Sequence, residues 1–136
     1  MTVTERFRAM SDVDATEVDD TTLADDYISV ALERVNNILE TTYTLSSDST
    51  GDEWIDDIVA TLTCAIVYKH LRPKLTYGPT NMFMWEWYEQ TAYRLMSEIR
   101  PDKFEVIAYG IIVPKMGGAR PPEPQILDNT TGDVKE

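Results

Sequence analysis

The stretch Asp52-Glu53-Trp54-Ile55-Asp56-Asp57-Ile58-Val59-Ala60-Thr61-Leu62-Thr63-Cys64-Ala65-Ile66-Val67-Tyr68-Lys69-His70-Leu71-Arg72-Pro73 decides the fold. Trp54, Ile55, Ile58, Val59, Leu62, Ala65, Ile66 and Leu71 recur at helical spacing over an arc wider than a single face. That width predicts a central helix, covered on several sides rather than lying on a surface. Carboxylates crowd its first turn, while Lys69, His70 and Arg72 complement its last carbonyls before Pro73 stops it.

A helix of this kind needs amphipathic neighbours, and the sequence supplies one on each side. Over about residues 22–41, Leu23, Tyr27, Val30, Ala31, Val35, Ile38 and Leu39 share one apolar face, with Asp19, Asp20, Asp25 and Asp26 around its start. Residues 44–51 are rich in Ser, Thr, Asp and Gly and read as a loop. After the turn signal Tyr77-Gly78-Pro79, a third helix is expected over about residues 81–100, capped by Asn81 and ended by Pro101. Its aromatic front, Phe83, Trp85, Trp87, Tyr88 and Tyr93, is too large for one core. Some of these rings are expected to meet the acidic connector over residues 11–20, the C-terminal arm or another subunit. Residues 4–10 predict one or two helical turns, with Thr4 as cap and Phe7 and Met10 on one side. Residues 11–20 read as a polar, acidic connector.

The last third reads differently. One short β-branched run, Val106 to Val113, precedes Pro114-Lys115-Met116-Gly117-Gly118-Ala119-Arg120-Pro121-Pro122-Glu123-Pro124, which suits neither helix nor sheet interior. The expectation is therefore a mainly α fold: a small three- to four-helix bundle with a short β segment and an extended C-terminal arm. Residues 1–20 form a short helix and acidic connector, 21–103 the bundle, and 104–136 the β segment and arm. An arm without a core of its own is expected to be ordered by a neighbour. Val106, Ile111 and Val113 are the candidate strand contacts, and Ile126 and Leu127 the candidate anchors. Lys115 and Arg120 would meet acidic groups, with Met116, Pro121 and Pro122 completing the partner-binding set.

Composition narrows function. Twenty-four acids against twelve bases give a net charge of −12, which disfavours a nucleic-acid grip that works by counterion displacement. The acidic bias with only five lysines suits a high-salt cytoplasm, as well as an ordinary acidic protein. One cysteine, Cys64, excludes a disulfide framework and multi-cysteine zinc sites, and its apolar neighbours make it a buried small hydrophobe. His70 is the sole histidine, so no His-based metal site is expected, and six helical residues separate it from Cys64 on another face. Asp52, Glu53, Asp56 and Asp57 lack the spacing of a calcium loop and sit where a helix start favours acids. Gly117-Gly118 lacks the Lys and the helix of a phosphate loop. The aromatic third helix carries Glu86, Glu89 and Glu98 where a single-strand platform would carry bases. No catalytic residue, cofactor or metal is expected. No apolar run approaches the ~20 residues that cross a bilayer, and no secretory segment opens the chain, so a soluble intracellular product is expected.

The run Val3-Thr4-Glu5-Arg6-Phe7-Arg8, the acidic stretch from Asp12 to Asp20, and Leu23-Ala24-Asp25-Asp26-Tyr27-Ile28-Ser29-Val30-Ala31-Leu32-Glu33-Arg34-Val35-Asn36 resemble the opening of tailed-virus head–tail adaptor proteins, also called connectors or head completion proteins. Tyr68-Lys69-His70-Leu71-Arg72-Pro73 fits the basic turn that closes the second helix in that family. The resemblance covers roughly residues 1–100. The Trp- and Met-rich third helix and the Pro/Gly-rich end depart from it. It implies a helical bundle that assembles as a ring, a dodecamer, between a portal protein and a neck or tail protein. DNA would pass through the lumen without sequence-specific binding. The protein would reside in the virion neck after assembly in the host cytoplasm. Two other classes stand beside it: an acidic regulator or inhibitor that mimics nucleic acid, and a small subunit of a cellular complex.

Overall fold

The computed structural model describes residues 1–115 and shows a mainly helical fold with one short antiparallel hairpin. Met116, Arg120, Pro121, Pro122, Ile126 and Leu127 of the expected partner-binding set lie outside the described residues.

Helix α1 spans Val3–Met10. Thr2, not Thr4, is its cap: the Thr2 hydroxyl accepts the Glu5 amide N–H at 3.1 Å, and Glu5 Oε1 accepts the Thr2 N–H at 2.8 Å. This reciprocal box turns Val3 and Phe7 fully inward, with Met10 partly buried beside them. Residues 11–20 are less of a free connector than their polarity suggests. Val13 and Val18 are buried, and the Arg8 guanidinium donates to both of their carbonyls and pairs with Asp20 at 2.9 Å.

Helix α2 is continuous through three stretches: Asp20–Thr22 (α), Leu23–Ile28 (π) and Ser29–Leu39 (α). Asp19 caps it by accepting the Thr22 N–H at 2.7 Å. Leu23, Tyr27, Ala31, Val35 and Leu39, all buried, are spaced by four residues. At 3.6 residues per turn such a series drifts by about 40° each step. The wider π turn absorbs part of that drift and brings Ile28 inward. Val30, expected inward, is exposed as a result. Glu40 ends the helix in a left-handed conformation, and Asn36 organises the exit by accepting the Tyr43 N–H and donating to the Tyr43 carbonyl.

Helix α3, Glu53–Leu71, is the central helix that its sequence predicted. It packs against α1, α2 and the following helix, and it buries residues around most of its circumference from Ile55 to Tyr68. Its ends depart from the expected pattern. Trp54 (47% exposed) and Leu71 lie outside the core, although Ile55 beside Trp54 is buried. Cys64 is fully buried, and burial pushes its thiol pKa far up, consistent with an inert packing role.

The carboxylates at the start of α3 have separate structural roles. Asp52 caps the helix through the Trp54 and Ile55 amides, and Asp57 pairs with Arg6 at 2.8 Å. Asp56, only 2% exposed, accepts from Ser49 Oγ, Thr50 Oγ1 and the Thr50 N–H. Burial alone would raise the Asp56 pKa, but the hydroxyls, the amide and the nearby Arg6 outweigh it and hold the carboxyl below the usual aspartate value. Its contribution to stability is therefore fully present above the unfolded value near pH 4 and is lost as pH falls through the lower folded value. Asp56→Ala is expected to cost about 2–3 kcal/mol at neutral pH. Urea midpoints measured from pH 7 down to 3 should show less acid dependence in the variant; an unchanged acid limb would assign that dependence to other carboxylates.

Helix α4, Met84–Ile99, starts later than expected, and Asn81 does not cap it. Instead Glu86 Oε1 reaches back to accept the Phe83 N–H at 3.0 Å. Residues 75–84 fold back on themselves first, with a Thr76–Phe83 bridge and a bond from the Met84 N–H to the Leu75 carbonyl. Past Pro101, strand β1 (Phe104–Val106) pairs antiparallel with β2 (Ile112–Pro114), Phe104 opposite Pro114. The β-branched run is thus a hairpin with a turn in its middle rather than one strand. Phe104 is buried against Tyr93, so residues 104–115 belong to the bundle, contrary to the expectation that the last third stands apart from it. The run fits because Gly110 turns the chain at positive φ, a conformation open to glycine.

Candidate functional site

Helix α4 distributes its aromatic side chains over different neighbours. Tyr88 packs edge-on against Tyr68 and donates to the Met10 carbonyl at 2.8 Å, so it meets the end of α1. Trp87 stacks on Tyr77 with ring centroids 4.6 Å apart. Tyr93 lies against Phe104, and burial pushes its hydroxyl pKa up to about 12. Trp85 carries the Lys69 ammonium over its ring at 4.6 Å. Tyr77 in the turn before the helix and Phe104 in the hairpin thus receive rings, while the arm from Met116 onward lies outside the described residues.

The hairpin is fixed to this helix by one side chain. Gln90 Nε2 donates to the Ile112 carbonyl at 2.9 Å, and Gln90 Oε1 accepts the Ile112 N–H at 2.8 Å. The amide therefore acts as a one-residue strand partner for β2. Of the sequence-selected contacts, Ile111 and Val113 lie half-buried in a groove with Met82, Glu86, Glu89, Tyr93 and Pro114. Val106 is 68% exposed on the outer side. Lys115 is exposed, and its N–H is held by the Lys103 carbonyl at 2.7 Å. Tyr109 stands fully exposed at the tip with φ 61°, an uncommon conformation for a residue with a side chain. Gln90→Leu is expected to weaken hairpin docking by about 1–3 kcal/mol, the worth of its two bonds. Hydrogen exchange should then rise at Glu105 and Val113 while α3 amides stay protected; equal protection in both proteins would show that the clamp contributes little.

On the other flank of α4 a cleft of about 230 Å³ opens between α2, α3 and α4. It is lined by Tyr27, Arg34, Ala65, Ile66, Lys69, His70, Trp85 and Glu89. The π turn brings Tyr27 to its rim, where Tyr27 Oη lies 2.7 Å from His70 Nδ1. With the tyrosine donating, the ring proton of His70 sits on Nε2. Burial raises the Glu89 pKa, against the pull of Arg34 and Lys69. The basic turn that ends α3 thus does more than complement the helix dipole. Lys69 caps a tryptophan, His70 meets a tyrosine, and Arg72 bridges to Asp12 and Glu17. Sequence reading missed this cleft because its lining comes from three helices and no local motif links them.

Among the described residues no group of three His, Cys, Asp or Glu is placed to hold a metal ion, and no helix is long and apolar enough to cross a membrane. Comparison with protein-family models, curated proteins and solved structures finds no match to this chain.

Proposed function

We propose that this chain is a structural virion protein, a head–tail adaptor that forms a ring between a portal protein and a neck or tail protein. The observation that carries the proposal is the Gln90 clamp. It docks β2 on the bundle, and together with the bond from the Lys115 N–H to the Lys103 carbonyl it places Lys115, the last described residue, at a defined point on the surface. That arrangement suits a subunit whose terminal segment must reach a particular neighbour. The exposed apolar side chains of Val106, Ile107 and Tyr109 on the same hairpin suit contact with another chain. A net charge of −12 suits a ring lumen through which a polyanion slides without adhering.

Many carboxylates are engaged within the fold, in caps and ion pairs at Glu5, Asp19, Asp52, Asp56, Asp57 and Asp102. A nucleic-acid mimic would instead present its acids in rows to a basic partner, so this use of charge favours the adaptor over the regulator. The test is to mix the purified chain with portal-bearing, DNA-filled capsids and image the vertex. A ring of density below the portal is the expected result. A bare portal at saturating protein overturns the reading.

A further inference from the structure

The cleft between α2, α3 and α4 has a charge that the rest of the surface does not prepare for. Acids outnumber bases two to one in this chain, and five bases, Arg6, Arg8, Arg72, Arg100 and Lys103, are ion-paired with them. Arg34 and Lys69 are not: among the described residues neither has a carboxylate within 4.0 Å. Both line the cleft, over an apolar floor of Ala65, Ile66 and Trp85. Glu89 is the one carboxylate in the lining, so two cations face one acid. The site suits an apolar side chain followed closely by a carboxylate.

Such a sequence occurs in the chain itself. Ile126-Leu127-Asp128 follows the proline run and places an acid directly after two apolar residues. The position of the chain's exit indicates whose copy supplies it. Glu89 lines both the cleft and the groove that holds Val113 and Pro114, so β2 ends one side chain away from its own cleft. At about 3.1 Å per residue the stretch from Lys115 to Ile126 reaches on the order of 30 Å. Pro121, Pro122 and Pro124 resist the tight return that docking beside the exit would require. The spacer is long for its own cleft and suited to the next subunit's.

We infer that the cleft receives Ile126, Leu127 and Asp128 of a second copy of this chain, the apolar pair covering Ile66 and Trp85 and the carboxylate meeting Arg34 and Lys69. The inference rests on the ring reading above and names the contact between neighbours. Tail of one copy into cleft of the next is a heterologous contact, the kind that closes into a ring when the rotation fits.

The experiment uses the full chain carrying His70→Cys at the rim and Asn129→Cys beside the docking residues, under mild oxidation. Cys64 is buried and does not compete. A ladder of disulfide-linked dimers and higher species on a non-reducing gel is expected. Arg34→Glu with Lys69→Glu should reduce the ladder about tenfold, and adding Asp128→Lys should restore part of it. Helical circular dichroism checks that these substitutions leave the fold intact. An internal bridge without a ladder overturns the inference, and so does the absence of any bridge. A ring on the portal without a ladder removes this contact and leaves the adaptor reading standing. A ladder from a chain that never attaches to a portal upholds the contact and removes the adaptor reading.

Discussion

Leu62→Ala is expected to destabilise the protein by about 2–5 kcal/mol, whereas Ile66→Ala should cost well under half as much. Both residues read as core in the sequence. The structure separates them: Leu62 is fully buried at the centre of α3, while Ile66, one turn on, is half-buried in the lining of the cleft. Truncating Leu62 leaves a cavity between packed helices that cannot collapse without moving α1, α2 or α4. Truncating Ile66 enlarges a depression already open to water. Chemical denaturation of the two variants checks this, and equal losses would mean that the cleft is closed in solution.

Ending the chain after Lys115 is expected to leave thermal stability nearly unchanged and to abolish attachment to portal-bearing capsids. The described residues already contain the buried core, both hairpin strands and the Gln90 clamp, so nothing that the structure shows holding the bundle together is lost. A cut before Pro114 would be a poorer experiment, because Pro114 is the partner of Phe104 and Lys115 is bonded to Lys103. The measurements are a thermal melt of the shortened chain and a count of filled heads that carry it. Heads that carry it at full occupancy would move the portal contact to the hairpin tip or the aromatic face of α4. A large loss of melting temperature would show that the removed residues contribute to the fold itself.

The four residues of the Tyr27–His70–Lys69–Trp85 group illustrate where reading by sequence stops. Local spacing assigns Tyr27 to an apolar face, Lys69 and His70 to a helix end, and Trp85 to an aromatic excess. Local spacing reports which way a side chain leaves its own helix, and nothing in it reports which other helix it meets. The same holds for Gln90, a polar residue on a helix that gave no sign of completing a strand pair. Residues 11–20 are tied to the bundle more closely than their polarity predicts, for a related reason. Their composition is that of a loop, but the Arg8 guanidinium bonds two carbonyls of the segment, Tyr68 and Arg72 hold Asp12, and Val13 and Val18 are buried.

The sequence by itself determined the class of fold, the central place of α3 and the order of the helices. These follow from periodicity, caps and prolines, which act within a few residues of chain. The tertiary structure decided the phase of α2 through its π turn, the docking of the hairpin on α4, and the existence of the cationic cleft. Each of these depends on which surfaces meet across long stretches of chain, and short-range spacing does not carry that information.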